Sequence, residues 1–172
     1  MKKDLSCFIA VCFLVICGSA VAKEIDNPWM KADVGSWVKH KNIMESKVGG
    51  QSFNSENTTT ITLAEKDKDS VTLFVNTEVG GTITEDKITV PAKSDYKKLG
   101  TEVGIKEIGE ETIKVEGKEY KCKVSETTLD LGGFKTVTKS WTNDKVPSGN
   151  VKSVTTSNAM KASSTLIDYG KK

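Results

Sequence analysis

From Gly35 to the end of the chain, hydrophobic and polar positions alternate with a period of two, and Thr and Val are abundant. β-Branched residues suit a pleated, half-buried surface, so this pattern predicts strands. The clearest stretch is "EYKCKVSETT", where Tyr120, Cys122 and Val124 face one way and Lys121, Lys123 and Ser125 the other. Val71, Leu73 and Val75 share one face, as do Thr59, Ile61 and Leu63. Val137 and Trp141 fall on one side of a strand whose other side carries Thr136, Thr138 and Ser140.

Turn signals interrupt these runs at Gly49-Gly50, Glu65–Asp69, Gly80-Gly81, Gly109-Glu110, Glu116-Gly117, Gly132-Gly133 and Pro147-Ser148-Gly149. Strands joined by such short connections are antiparallel neighbours, because parallel strands need long crossovers. The chain therefore predicts about seven to nine strands in a meander. Two places admit helix: Asn27-Pro28 can cap one turn, and the break from Pro91 to Gly104 can hold one around Ser94–Lys98. A sandwich, a closed barrel and a curved open sheet all fit. An outer-membrane barrel is disfavoured: the polar faces carry Lys121, Lys123, Lys135 and Lys139, and aromatic residues for girdles are sparse.

The N-terminus changes the picture of where this sheet works. Lys2 and Lys3, the apolar run Leu5–Ile16 and Ala20-Val21-Ala22 are the three parts of a secretory signal peptide, residues 1–22. The apolar run is too short to span a bilayer, which takes roughly 20 residues. The expectation is one exported antiparallel β domain over residues 23–172, periplasmic or secreted, with no transmembrane segment. Cys17, three residues after Leu14, offers lipid anchoring as a second route, but Ile16 fits a lipoprotein cleavage site poorly.

Composition removes several chemistries. The formal net charge is +2 with interspersed signs, which gives no nucleic-acid footprint. The chain has no Arg, the usual bidentate clamp for phosphate or carboxylate. Cys7, Cys12 and Cys17 precede the cleavage site, so Cys122 stands without a disulfide partner in the mature chain. With one His and one mature Cys, a soft-ligand metal site within one chain is excluded, and no cofactor is expected. His40 lies between Lys39 and Lys41, whose charges disfavour its protonated form. The acidic clusters at Asp67–Asp69 and Glu110-Glu111 read as solvated hairpin turns, not calcium loops. The glycine pairs have no following helix to make a phosphate cradle. What remains is apolar: Trp29, Trp37, Phe53, Phe74, Phe134, Trp141 and Tyr169, which either fill a core or line a cavity for an apolar ligand.

Two segments carry a family resemblance. "GEETIKVEGKEYKCKVSETT" contributes Ile113, Val115, Gly117, Tyr120 and Cys122; "KSWTNDKVPSGNVKS" contributes Trp141, Asn143, Asp144, Val146, Pro147, Gly149, Val151 and Lys152. Together they resemble bacterial exported domains of the lipoprotein-carrier (LolA/LolB-like) β half-barrel superfamily, and "VGSWVKHK" looks like the first strand of such domains. The resemblance implies one strongly curved antiparallel sheet around a short helical plug, with an apolar inner face. Its best-known members carry acylated lipoproteins across the periplasm, and no catalytic residues come with it. The expectation is an exported, non-enzymatic half-barrel binding a lipid or other apolar molecule through Trp37, Phe74, Tyr120, Val124 and Trp141. The alternative is an envelope structural or protein-interaction module with a filled core.

Overall fold

The computed structural model describes residues 25–48, 50–94, 102–131 and 134–171. The signal segment, most of the helical turn expected at Ser94–Lys98, and the Gly132-Gly133 turn lie outside the described residues. The other expected helix is present as a single 3-10 turn, Pro28–Lys31. Asn27 Oδ1 accepts the Trp29 N–H at 3.1 Å, and Pro28 occupies a position where no N–H is needed.

The strands are β1 Ile25–Asp26, β2 Ser36–Val48, β3 Gln51–Lys66, β4 Ser70–Val79, β5 Thr82–Pro91, β6 Lys93–Ser94, β7 Glu102–Val115, β8 Lys118–Leu131, β9 Phe134–Thr142, β10 Asn150–Ser157 and β11 Met160–Lys171. β1 and β6 pair as a two-residue ladder, and the other nine form one antiparallel sheet in the order β5-β4-β3-β2-β11-β10-β9-β8-β7. Two meanders, β2–β5 and β7–β11, are joined by the pairing of β2 with β11. That contact unites the first and last long strands, and no turn signal announces it. β5 and β7 each have one neighbour, so the sheet is not closed. It is an open half-barrel.

The sheet curls strongly nonetheless. β7 comes back to touch β11, four places away in the strand order. Lys118 Nζ at the start of β8 lies 3.6 Å from Asp168 Oδ1 of β11. Register shifts at Leu63/Glu65, Glu107/Gly109, Asn150/Lys152 and Leu166/Asp168 mark the bulges that let long strands bend. One of them corrects the reading of Gly109-Glu110 as a turn. Both residues lie inside β7, where Gly109 takes φ 139° next to the extra residue Ile108. A bulge and a hairpin both call for a glycine in unusual backbone geometry, and the local sequence does not separate them. The turn at Glu116-Gly117 is real, with both φ angles positive at 47° and 78°.

The core face of β2–β5 is apolar. Val38 pairs with Ile61, Ile61 with Val75, and Leu63 with Leu73; these residues and Val71 are all buried. The 3-10 turn plugs this face with Trp29, which is 1% exposed. Lys66 Nζ ties the plug down by donating to the carbonyls of Ala32 at 2.6 Å and Met30 at 3.3 Å. Farther along the same face, one register row crosses six strands as Asn57, Asn42, Ser164, Ser153, Ser140 and Ser125. Asn42, Ser164, Ser153 and Ser140 are buried.

On β8 the buried positions change phase. Tyr120, Cys122 and Val124 are buried toward the tip, then Thr127, from the opposite face, farther in. The β8–β9 ladder begins at Lys123, so residues 118–122 belong to a ribbon of two strands, β7 and β8. Two-stranded ribbons twist more than sheets do, which turns the tip's other face inward.

Candidate functional site

The five residues expected to line a ligand face divide into two groups. Val124 lies directly opposite Trp141, and both join Tyr120 in the buried hydrophobic cluster. Trp37 and Phe74 belong to the other half of the sheet, two strands apart and linked through Thr62. They lie on the face opposite Val38 and Leu73. Trp37 is half-buried with its indole across Gly170, where a Cβ would come within 3.1 Å of Nε1. Phe74 is 47% exposed, with Lys87 Nζ 5.7 Å from its ring centroid.

Trp141 is enclosed by the chain's own polar groups. Its Nε1–H donates to Glu111 Oε2 at 2.8 Å. Lys139 Nζ stands 4.6 Å and Lys152 Nζ 5.4 Å from the ring centroid. Lys139 also lies 4.0 Å from the Glu111 carboxylate, so the cluster is internally neutralised on one side. Cations over an indole face and a carboxylate on its N–H use both the aromatic and the polar parts of this residue. Glu111 is the member that sequence reasoning missed, because Gly109-Glu110 read as a turn. Its placement opposite Cys122 in period two is the signal that would have found it.

His40, the one histidine, and Cys122, the one cysteine after the expected cleavage site, are engaged separately. His40 is buried on β2, and its Nε2–H donates to the Asn150 carbonyl at 3.2 Å. Burial holds its pKa down at about 4, partly offset by that hydrogen bond. The cause differs from the sequence expectation: Lys39 and Lys41 point to the other face, and loss of water depresses the imidazolium. The Cys122 thiol donates to the Tyr120 carbonyl at 3.6 Å, and burial, then the Glu111 charge, pushes it up to about 11. A thiol so raised is a poor nucleophile at neutral pH.

A cavity of about 540 Å3 opens at the far end of the sheet from the Trp29 plug. The ends of the β2–β3 and β10–β11 hairpins form it, and these are neighbours because β2 pairs with β11. Asn54, Glu45, Lys161 and Thr156 make one register row across four strands, with Ser52 and Lys47 in the adjacent row. Ser46, Ser157 and Met160 complete much of the lining. The Lys47 N–H donates to the Ala159 carbonyl at 2.9 Å and holds the two hairpins together. The lining is hydrophilic and lacks aromatic residues. It also lies apart from all five residues of the expected apolar site.

No protein-family profile matches the chain. No curated protein matches it either. Among solved structures, the fold is similar to that of a Bacteroides fragilis protein described as having a YmcC-like fold and inferred to be exported. The likeness has a TM-score of 0.40 at 10% identity and covers 81% of this chain and 97% of the other.

Proposed function

We propose that the protein is a non-enzymatic, exported β half-barrel that recognises an envelope partner at its surface around a packed interior. The observation supporting this reading is the filled apolar face: Trp29, Leu63, Leu73, Val38 and Leu166 are each at most 1% exposed. An acyl chain needs a comparable apolar surface left open, and these side chains satisfy one another instead. Only an expected architecture carries over from the lipoprotein-carrier resemblance; the sheet is open and curled, with a short 3-10 turn packed on it. Export rests on the signal-type N-terminus.

Native mass spectrometry of the purified chain, a fluorescent fatty-acid titration and retention of envelope components on the immobilised chain test this reading together. The expected result is the bare polypeptide mass, no saturable uptake of the probe and one stoichiometric envelope component retained. A co-purifying acyl ligand, or saturable uptake of the probe, would overturn it in favour of lipid carriage.

A further inference from the structure

The cavity between the hairpin ends brings several exposed charged and polar side chains to one place. Elsewhere Lys41 pairs with Glu56 at 2.8 Å, Lys121 with Glu110 at 2.7 Å and Lys171 with Asp33 at 2.9 Å. Around the cavity, Glu45, Lys47 and Lys161 make no ion pair among the described residues, although Glu45 and Lys161 are direct cross-strand partners. The side chains of Ser52 and Asn54 also make no hydrogen bond among the described residues. Five polar side chains that share one face, Glu45, Lys47, Ser52, Asn54 and Lys161, therefore belong to residues lining this cavity. They are one carboxylate, two ammonium groups, an amide and one hydroxyl, with a net charge of +1 by type.

We propose that this cavity is the recognition site of the protein and that it takes an acidic saccharide. The chemistry points there on three counts. The lining is rich in hydroxyl and amide groups, which match the closely spaced hydroxyls of a sugar. Lys47 and Lys161 supply charge-assisted donors for a carboxylate, and Glu45 accepts from sugar hydroxyls. The volume lies within the few hundred Å3 typical of small-ligand sites, and the open end of the sheet leaves room for a longer chain to continue. This inference rests on the surface-recognition reading above and names its site and ligand class.

Isothermal titration of the purified full chain with trigalacturonate at low salt tests it. Saturable binding is expected, at least about tenfold weaker for the methyl ester and for the Lys47→Glu/Lys161→Glu double variant, since hydrogen bonds to charged groups carry that much. Glu45→Gln should tighten binding a few-fold by removing repulsion while keeping a hydrogen-bonding group. All three positions are exposed, so circular dichroism of the variants should match the parent. Absence of trigalacturonate binding, equal binding by the double variant, or citrate bound as tightly as the uronate would each overturn the assignment. Retention of an envelope component without uronate binding removes this site assignment alone; loss of both removes the surface-recognition reading as well.

Discussion

The two halves of the sheet bury their shared face by different means. In β2–β5 the face under Trp29 buries Val38, Ile61, Leu63, Val71, Leu73 and Val75, with Ser36, His40, Asn42 and Thr59 as its polar members. In β8–β11 the same face buries Thr127, Ser140, Ser153 and Ser164 alongside Val151, Ala162 and Leu166. Large apolar side chains fill a volume; small hydroxylated ones permit close approach, which lets this half curl until β7 meets β11. The apolar half gains free energy from area removed from water. The hydroxylated half must instead satisfy or strand its polar atoms, and Ser164 Oγ and Thr127 Oγ1 are buried with no hydrogen-bond partner among the described residues. Burial in this protein therefore does not measure stabilisation. Both halves contribute to the buried apolar cluster, but on the shared face the second half also buries hydroxyls that add shape more than energy.

Truncation in the apolar half should give the largest effects. Trp29→Ala and Leu73→Ala are expected to cost about 3–5 and 2–5 kcal/mol respectively, from lost transfer energy plus the cavity left behind. Urea unfolding midpoints measure this, and a cost below about 1 kcal/mol for both would dissolve the distinction between the halves.

An intermediate effect should come from the boundary between them, where His40 sits beside the serine row. The folded ring stays neutral down to about pH 4, whereas in the unfolded chain it takes a proton near 6.5. Between those values the unfolded chain binds more protons, so stability falls as pH drops from about 6.5 to about 4 and then levels off. The loss is up to about 3 kcal/mol. Carboxylates held below their usual range, such as Asp67 by the Asp69 and Ser70 N–H groups, add their own loss at lower pH. Comparing denaturation of the parent and His40→Gln across this range isolates the histidine contribution; identical pH profiles would place His40 outside it.

The smallest effects should come from the hydroxylated half, with opposite sign. Ser164→Ala and Thr127→Val remove buried hydroxyls with no hydrogen-bond partner among the described residues, so each should be neutral or stabilising by up to about 1 kcal/mol. Thermal denaturation reads this directly. A clear drop in melting temperature for both would show that this row contributes energy as well as shape.

Much of the fold was legible because period-two patterning and glycine turns are local signals. The strands carrying Tyr120–Val124 and Val71–Val75, the cap at Asn27-Pro28 and the turn at Glu116-Gly117 all follow from a few adjacent residues. Gly109 was misread because a bulge and a turn make the same local demand. Phe74 entered the expected ligand set although it alternates against Leu73 and Val75, and it stands opposite the core. The cavity-lining residues carried no signal, since Ser46, Ser52, Asn54 and Lys161 look like ordinary strand-end residues until two hairpins are neighbours.

The sequence by itself determined that the chain is antiparallel β, where most strands turn, and which residues on each strand share a face. These follow from steric preference and the two-residue repeat of a pleated backbone. Only the tertiary structure decided that β2 pairs with β11, that the β7–β8 ribbon twists its other face inward, and that Glu111 reaches Trp141. It also decided that charges without an ion pair among the described residues gather between two hairpin ends. Such contacts join residues distant in the chain, and their energies depend on the curvature of the whole sheet, which no local pattern specifies.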